Sequence, residues 1–542
     1  MRHAIENNRG MTTFIAMMLM VMLTLIGVAA IKLANDEINI AGNEMNETTA
    51  FYAAESGLDK AAAAIQTYYE QNGGPPTTFP SGSQLMNDCA AAFNTVPNGG
   101  PTTEVLTNGT LAGLNALVQS YTITSTAMSL VDKSQTTLRQ QFECALVPLF
   151  QFAVFYGNDL EIAPGPDMTL IGRVHSNGNL WLQAGSNLYM DSYVTCSGDL
   201  LHGRKGPGSV DNGNVLIKDT DGNYQNMKNG DGTFLTSASA NWYDSASARW
   251  DGRVQDAAFG QEELNMPLTG SGDPHTIIER ASGNPDSYEN LASLRIIDGV
   301  AEAKIGAVWT DVSALLPAGT ITNRSFTDLH EGVTVNSTDV DMSLLKTSSY
   351  YPAGGVLYMS DSRTTFDGAR LVNGSDLDYA LTVVSENPVY VQGDYNTVNK
   401  KPAAIIGDAV TFLSNSWDDS KSAMSINNRV ASNTTVNASI MTGNNNTTAS
   451  NYNGGLENLP RFLEKWSGKD FVFCGSLVNL WNSQQATAPW SYGLYYTAPN
   501  RKWSYDTDLD DPSKLPPETP QAQIFQRTGW KQESLEYTLG DG

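Results

Sequence analysis

The sequence predicts an α+β protein in which a long N-terminal transmembrane helix is followed by a large β-rich domain. Residues 11–31 carry no charged side chain. Apolar residues then recur at helical spacing as far as Tyr69. From Gln151 the pattern changes to short apolar runs separated by Gly, Asn and Asp, which is typical of strands and turns. With 542 residues, the chain is long enough for two or three domains.

The uncharged segment from Met11 to Ile31 has the length of a membrane-spanning helix. Its 21 residues rise about 1.5 Å each and so match the roughly 30 Å hydrocarbon core of a bilayer. The polar residues 1–10 precede it and contain Arg2 and Arg9. These arginines predict a cytoplasmic N-terminus, because basic residues mark the cytoplasmic side of membrane helices.

The helix is expected to continue beyond the membrane and to end at Gln71–Pro76, where Gly and Pro are abundant. Its continuation has one apolar stripe: Phe51, Ala54, Leu58, Ala62, Ile65 and Tyr69. The small residue Gly10 lies before the apolar segment, whereas a secretory signal has its cleavage site after the apolar core. Cleavage after Gly10 would leave a mature helix of about 60 residues, or roughly 90 Å.

This combination resembles the N-terminus of type IV pilins and type II secretion pseudopilins, and within that group the PilX-type minor pilins. The resemblance rests on "LTLIGVAA" at residues 23–30, "AGN" at Ala41–Asn43 and "AFYAAESGLDKA" at Ala50–Ala61, and covers about the first 70 residues. Shorter stretches at Gly172–Leu182, Asn387–Asn396 and Leu459–Gly468 resemble segments of large bacterial pilin-like proteins.

The resemblance implies how the chain is processed and where it acts. A prepilin peptidase would cut between Gly10 and Met11 and methylate the new amine of Met11. The subunit would lie in the inner membrane, then join other pilins at a pilus assembly platform and reach the periplasm or cell surface in a pilus or pseudopilus. The implied assembly contacts fall on the apolar helix residues Phe14, Ile15, Leu19, Leu23 and Ile26.

Ile15 is a departure from the family pattern. Typical major pilins carry Glu at the fifth position after the cut, where it is thought to neutralise the amine of the adjacent, earlier-assembled subunit. Here that position is Ile15, and no acid occurs between Met11 and Asp36. Because a lone carboxylate in lipid is costly, it is kept where it has a partner. Ile15 therefore suggests a tip or initiating subunit, and a divergent subunit inserted sparsely along the fibre is the alternative.

Residues 75–150 are predicted to form a small pilin-like α/β head. A helix is expected near Leu111–Val118, with strands at Ser120–Thr124 and Thr136–Ala145. The four cysteines suggest up to two disulfides in an exported chain. Sequence proximity favours Cys89 with Cys144, which leaves Cys196 with Cys474. The alternative is that the cysteines are isolated buried thiols.

Residues 151–456 are predicted to form the main β-rich domain. Turn motifs ending at Leu160, Leu180 and Leu200 repeat every 20 residues, which fits the rungs of a β-solenoid, while a β-sandwich or irregular β-domain is the alternative. Later runs repeat the pattern loosely: 381–384, 389–392, 403–406 and 409–413. Residues 205–300 are interpreted as an insertion. The aromatic segment 457–542 is expected to wrap over and cap the domain.

Composition limits the functional classes. The formal net charge of −25 argues against a nucleic-acid partner. No cofactor motif and no catalytic set emerges, and His175 is interpreted as a turn-stabilising residue. The acids Asp506, Asp508 and Asp510 alternate as in a calcium loop, but the glycine and the last ligand of that loop are missing, so a solvated acidic turn is favoured.

Two functions remain. The first is a minor pilin or pseudopilin that acts in assembly, adhesion or partner contact and is not an enzyme. The second is a membrane-anchored β-solenoid that binds or cleaves polysaccharide. The position of Gly10 before the apolar segment favours the first.

Overall fold

The computed structural model describes residues 9–107, 109–131, 133–206, 208–269, 272–448 and 451–533, so residues 1–8 of the predicted leader lie outside the described residues. The architecture is α+β, as predicted: a long apolar helix precedes a large β-rich domain. The first elements along the chain are helix α1 (Arg9–Asn72) and strands β1 (Ser81–Met86), β2 (Cys89–Pro97), β3 (Thr102–Val105), β4 (Asn115–Ser129) and β5 (Gln135–Pro148).

The second half of α1 packs on an antiparallel sheet with the order β1-β2-β4-β5, which we call the head; β3 pairs with β4 beside β2. The buried helix face contains Ala50, Ala53, Ala54, Leu58, Ala61, Ala62, Ile65 and Tyr69. The predicted stripe is therefore correct except at Phe51, which is only partly buried. Alanines dominate this face because they let the helix approach the sheet closely.

The first half of the β-rich domain is a stack of coils whose strands pair in parallel, except that its last hairpin is antiparallel. Its elements are β6 (Val154–Tyr156), β7 (Leu160–Ile162), β8 (Met168–Leu170), β9 (Val174–Ser176), β10 (Leu180–Leu182), β11 (Asn187–Met190), β12 (Val194–Cys196), β13 (Leu200–His202), β14 (Asn214–Lys218), β15 (Tyr224–Asn226), α2 (Trp242–Trp250) and β16 (Val254–Gln255). The predicted 20-residue spacing is the strand register, because Leu180 pairs with both Leu160 and Leu200. Each coil therefore stacks a buried leucine on the leucine of the next coil.

The turn motif repeats because its Asp or Asn side chain bonds to the neighbouring coil. Asp159 Oδ1 accepts a hydrogen bond of 2.8 Å from the backbone N–H of Asn179, and Asn179 Oδ1 accepts one of 2.8 Å from Asp199. Gly178 precedes Asn179 because a Cβ there would lie 2.7 Å from the backbone nitrogen of Asp159. The 20-residue spacing thus follows both from side-chain hydrogen bonds between neighbouring coils and from the stacked leucines.

The second half of the domain contributes eight strands to the largest sheet, and its other strands form a six-stranded and a three-stranded sheet. Its elements are β17 (Ala292–Ile297), β18 (Val300–Ile305), β19 (Val308–Asp311), β20 (Ile321–Asp328), β21 (Val333–Asp341), α3 (Met342–Leu345), β22 (Gly355–Ser360), β23 (Asp367–Val372), β24 (Leu381–Ser385), β25 (Val389–Gln392), β26 (Ala403–Gly407), β27 (Val410–Leu413), β28 (Thr434–Asn437), β29 (Ser439–Thr442), β30 (Arg461–Phe462), β31 (Asp470–Cys474), β32 (Leu477–Asn479) and β33 (Asn500–Ser504). The largest sheet has 12 strands, and β32 meets β6 in its middle. We call residues 154–504 the coil domain.

The last described strand, β34 (Gln521–Glu533), returns to the head and pairs antiparallel with β5. The predicted division into a head of residues 75–150 and a C-terminal cap of residues 457–542 is therefore wrong in two respects. Residues 521–533 complete the head sheet, and β30–β33 are strands of the coil domain itself. The predicted insertion is also partly wrong, because β14 and β16 pair with β11 and β12 of the coils.

The predicted helix at Leu111–Val118 is wrong as well. Gly109–Leu111 forms a single 3-10 turn, and β4 begins at Asn115. The predicted strands Ser120–Thr124 and Thr136–Ala145 lie inside β4 and β5. Burial alternates along β4, so the long antiparallel sheet overrides the local helical pattern.

Neither predicted disulfide is present, and the topology explains why. Cys89 of β2 pairs with Ser129 of β4, whereas Cys144 of β5 pairs with Gln119 of β4. These positions on β4 are ten residues apart, or about 33 Å, far beyond the roughly 7 Å between Cα atoms that a disulfide tolerates.

The two thiols of the second predicted pair are also free, and they lie in different sheets. Cys196 ends β12 of the large sheet, three strands from β32, whereas Cys474 ends β31 of a three-stranded sheet. Cys196 and Cys144 are buried in the apolar core, and Cys474 is half-buried. The alternative of isolated thiols fits both residues of this pair.

Candidate assembly helix

The first half of α1 is an apolar surface that no other part of the described chain covers. Residues 10–40 of the helix are all exposed. The predicted assembly residues each expose half of their surface or more: Phe14, Ile15, Leu19, Leu23 and Ile26. Burial of apolar surface is favoured by about 25 cal/mol per Å², so this half of the helix requires lipid or other helices around it.

The polar groups inside this apolar segment are satisfied within the helix. The hydroxyl of Thr24 donates to the backbone carbonyls of Met20, at 2.6 Å, and of Val21, at 2.9 Å. An unsatisfied polar group in hydrocarbon would cost several kcal/mol, so this arrangement suits a bilayer. Among the helices of the described residues, α1 alone is long and apolar enough to cross a membrane.

The predicted cleavage position lies within the regular helix. Gly10 and Met11 are both helical and exposed, and no atom lies within 4 Å of a Cβ built on Gly10. The bond between Gly10 and Met11 is thus not packed against the rest of the chain, and cleavage there stays a prediction. The side chain of Ile15 is 51% exposed and lies one turn further on.

The second half of α1 fixes the helix to the head. The hydroxyls of Tyr69 and Tyr121 lie 2.8 Å apart in a buried position, and Tyr69 packs edge-on against Phe525 of β34. Arg527 of β34 forms an ion pair with Asp59 of the helix at 2.7 Å. The apolar half of α1 is therefore a rod that projects from a firmly attached base.

The candidate calcium acids bind lysines instead of forming a cation site. Asp506 accepts from Lys400 at 2.7 Å, and Asp508 accepts from Lys514 at 2.8 Å. The ammonium groups of Lys514 and Lys400 lower the pKa of Asp508 to about 2. Asp510 accepts from Tyr505. No group of three or more His, Cys, Asp or Glu side chains in the described ranges has the geometry to hold a metal ion. The three acids therefore have lysine ammonium groups and a tyrosine hydroxyl as their partners.

His175 is buried inside the coil stack. Its ring nitrogens contact Thr195 Oγ1 at 2.8 Å and Asn177 Oδ1 at 2.9 Å, and burial lowers its pKa to about 4. The residue therefore joins neighbouring coils as a neutral hydrogen-bonding group, which agrees with its interpretation as a turn-stabilising residue.

A buried ionic cluster was missed in the sequence because its members are far apart in the chain. Asp408 accepts from the Ser483 hydroxyl and from the backbone N–H groups of Gln484, at 2.6 Å, and Gln485, at 3.0 Å. His275 contacts Asp408 at 3.4 Å. The cluster attaches residues 273–279 and 483–486 to the coil stack. No local sequence motif predicts it.

A long helix with an exposed apolar first half and a second half packed on an antiparallel sheet is the arrangement of a pilin-like protein. Residues 9–59 match the family model described as PilX N-terminal. The resemblance to PilX-type minor pilins that the sequence indicates is therefore confirmed for this segment of the chain.

No curated protein matches the chain. The solved structure of the competence-associated pilin ComZ from Thermus thermophilus is similar over 90% of this chain and 98% of that chain, with 11% identity and a TM-score of 0.28. A TM-score of this size supports no conclusion about the fold or the function of the coil domain.

Proposed function

We propose that the chain is a minor pilin of a type IV pilus or of a related secretion system, and that it acts as a structural subunit and not as an enzyme. The observation that carries the proposal is the PilX-type helix, whose residues 10–40 are exposed and mostly apolar while its following residues are packed on the head. Such a helix can serve first as a membrane anchor and then as an assembly surface.

The same apolar surface supports both steps. In the inner membrane, lipid covers residues 11–31, and the head and coil domain lie on the outer side. When the subunit leaves the bilayer at the assembly platform, the apolar surface must be covered again, and helices of other pilins would supply the cover. Phe14, Ile15, Leu19, Leu23 and Ile26 are the residues that we expect to make these contacts.

We further propose that the subunit sits at the distal end of the fibre. No acid is available at position 15 to attract the amine of another subunit, and the first acids of the helix, Asp36 and Glu37, lie beyond the apolar segment. A coil domain of residues 154–504 is also large for a subunit that would repeat along a shaft. The parallel stacking and the 20-residue register support a β-solenoid interpretation of this domain.

Processing by a prepilin peptidase tests the proposal. We expect the mature protein, extracted from membranes of a strain with the peptidase, to begin at Met11 with a methylated amine, as measured by intact mass and N-terminal sequencing. Gly10→Leu should block the cut. Gly27→Leu is the matched control, since neither glycine has an atom within 4 Å of a built Cβ, and it should be processed normally. A mature start beyond Ala30 would mean an ordinary secretory signal and would overturn the proposal.

The second candidate function is a membrane-anchored β-solenoid that binds or cleaves polysaccharide. The stacked parallel coils favour it over other non-pilin functions, because long solenoid surfaces suit extended ligands. This function predicts that the isolated protein binds or cleaves polysaccharide fully in the absence of other pilins.

A further inference from the structure

Two open cavities adjoin on one side of the coil domain, and both have Leu264 and Asn265 in their walls. The first, of about 460 Å³, lies between the end of α1, residues 255–265 and β34. The second, of about 480 Å³, lies between the turns of the first two coils and residues 480–484. Together they form a continuous depression, which we call the amide groove. Each volume is in the range of about 300–1,000 Å³ that is typical of small-molecule sites.

The walls of the amide groove are held in place by hydrogen bonds. Asn177 bonds to the backbone of Leu264 in both directions, donating from Nδ2 at 3.2 Å and accepting at Oδ1 at 2.9 Å. The buried pair of His275 and Asp408 fastens the far end, where Gln484 contacts His275 Nδ1 at 2.9 Å. The groove is therefore preformed, which lowers the entropy that binding costs.

Amide side chains predominate in the groove, which is also lined by four carboxylates: Glu70, Glu262, Glu263 and Asp273. Ten Asn and Gln residues line the two cavities, whereas no Lys or Arg lines either one: Gln66, Asn158, Asn177, Gln255, Gln261, Asn265, Asn482, Gln484, Gln523 and Gln526. Each amide can both donate and accept hydrogen bonds, as a sugar hydroxyl does. The one imidazole in the lining, His275, is already paired with Glu279 and Asp408. The lining carboxylates and the net charge of −25 therefore repel phosphate, sulfate and uronate groups.

Two buried polar atoms in the lining residues lack a partner. Gln523 Oε1 and Trp481 Nε1 accept or donate no hydrogen bond within the described part of the chain, although Gln523 is 8% and Trp481 is 3% exposed. Both atoms have almost no accessible surface, so a ligand in the open groove does not reach them, and the proposal rests on the accessible amides. Two partly buried aromatic side chains, Phe259 and Phe525, add apolar surface to the wall of the first cavity.

We propose that the amide groove binds an uncharged oligosaccharide. An extended peptide is the competing ligand, because β34 is the outermost strand of the head sheet and its residues 523–526 line the groove. We favour a sugar because ten side-chain amides line the walls, and the peptide probe below tests the alternative. The proposal does not depend on assembly into a fibre. Sugar binding would also suit the proposed distal position, because a groove at the end of a fibre would be accessible to glycans on another surface.

Calorimetric titration of the full chain in phospholipid nanodiscs tests the proposal. The probes are cellohexaose, maltohexaose and chitohexaose, together with hexagalacturonate and a Gly-Ser hexapeptide. We expect at least one of the three neutral hexasaccharides to bind, and hexagalacturonate to bind at least about tenfold more weakly because the groove carboxylates repel it.

The variants make the site specific. Asn158→Ala combined with Asn482→Ala removes two exposed amides of the groove, and affinity should fall about tenfold or more. Gln532→Ala removes an exposed amide of β34 outside the groove and should bind like the original chain. All three positions are exposed, so unchanged melting is expected. The proposal is overturned if no neutral hexasaccharide binds, if the double variant binds equally well, or if the peptide or hexagalacturonate binds most tightly.

Discussion

Tyr69 in the last turns of α1 and Tyr121 in β4 share a buried hydrogen bond, with their hydroxyl oxygens 2.8 Å apart. The bond connects the base of the apolar helix to the central strand of the head. Burial raises the pKa of Tyr121 to about 12 and that of Tyr69 further, so both hydroxyls are neutral at physiological pH. The contact therefore stabilises the helix as a neutral hydrogen bond between a local element and a distant strand.

We predict that Tyr121→Phe lowers the stability of the head by about 1–2 kcal/mol, because the buried Tyr69 hydroxyl then keeps only the weaker Cys144 thiol as a partner. Thermal melting of the full chain in nanodiscs measures this change. Tyr52→Phe is the matched control, since Tyr52 is 56% exposed, and it should change stability by less than about 0.5 kcal/mol. Equal effects of the two substitutions would contradict the role given to the Tyr69–Tyr121 bond.

A second prediction concerns the return of β34 to the head. Phe525 stacks on Phe142 at 6.0 Å and packs against Tyr69, so Phe525→Ala should cost about 2–3 kcal/mol and speed hydrogen exchange in α1. Trp530→Ala, at a position that is 51% exposed, should cost clearly less. Mass spectrometry of peptides from residues 58–69 gives the local readout. Faster exchange confined to the coil domain would instead support a capping role for this segment.

The sequence predicts what local periodicity encodes and misses what depends on distant contacts. The α1 stripe and the register of Leu160, Leu180 and Leu200 follow from repeats of three to four and of 20 residues. The pairing of Gln521 with Pro148 has no such signal, since it joins segments that are hundreds of residues apart. The alternating pattern at the start of β34 could have indicated a strand, but not the strand that it joins.

The disulfide prediction failed for a related reason. Proximity in sequence suggested Cys89 with Cys144, but long antiparallel strands carry neighbouring segments to opposite ends of the sheet. The amide groove was missed because its walls come from residues such as Asn177, Asn265 and Asn482, which only the folded chain brings together. Single asparagines carry no signal in a chain that is rich in turn residues.

Cysteine reactivity follows from the absence of these disulfides. Burial raises the pKa of Cys144 to about 12 and raises that of Cys196 further, so neither forms the reactive thiolate in the folded chain. We predict that iodoacetamide at pH 8 modifies the half-buried Cys474 first, and modifies Cys144 and Cys196 only after unfolding. Peptide mapping measures the order. Recovery of disulfide-linked peptides from unreduced protein would contradict the structure.

The His275 cluster predicts a pH dependence of stability. Burial alone would lower the pKa of His275, but its bonds to Asp408 and Glu279 outweigh burial and raise the pKa above the ordinary value of 6.5. The protonated His275 ring therefore stabilises the folded chain fully below pH 6.5. This stabilisation is lost as the pH rises through the pKa of His275 in the folded state.

Asp408, the partner of His275, makes the stability depend on pH in the acidic range. Burial alone would raise the pKa of Asp408, but bonds from His275, Ser483 and backbone N–H groups lower it, so its stabilisation is lost only as the pH falls below the ordinary value of 3.8. We predict that the melting temperature of His275→Gln falls furthest below that of the original chain near pH 5–6 and that the difference shrinks at alkaline pH. A difference that is constant from pH 5 to 9 would contradict a charged His275.

The last prediction separates a tip subunit from a shaft subunit. A shaft subunit must fit between neighbours above and below it, and the coil domain, with its 12-stranded sheet, makes close repetition difficult. Position 15 is also Ile instead of an acid that would attract the amine of another subunit. Both features favour few copies at the distal end, where the coil domain is unobstructed. Gold-labelled antibody against the coil domain should therefore mark one end of purified fibres, with antibody against the major pilin as the control that marks the whole length. Label spaced evenly along the shaft would defeat the tip position and leave the pilin proposal intact, because a sparse subunit can use the same apolar helix within the shaft.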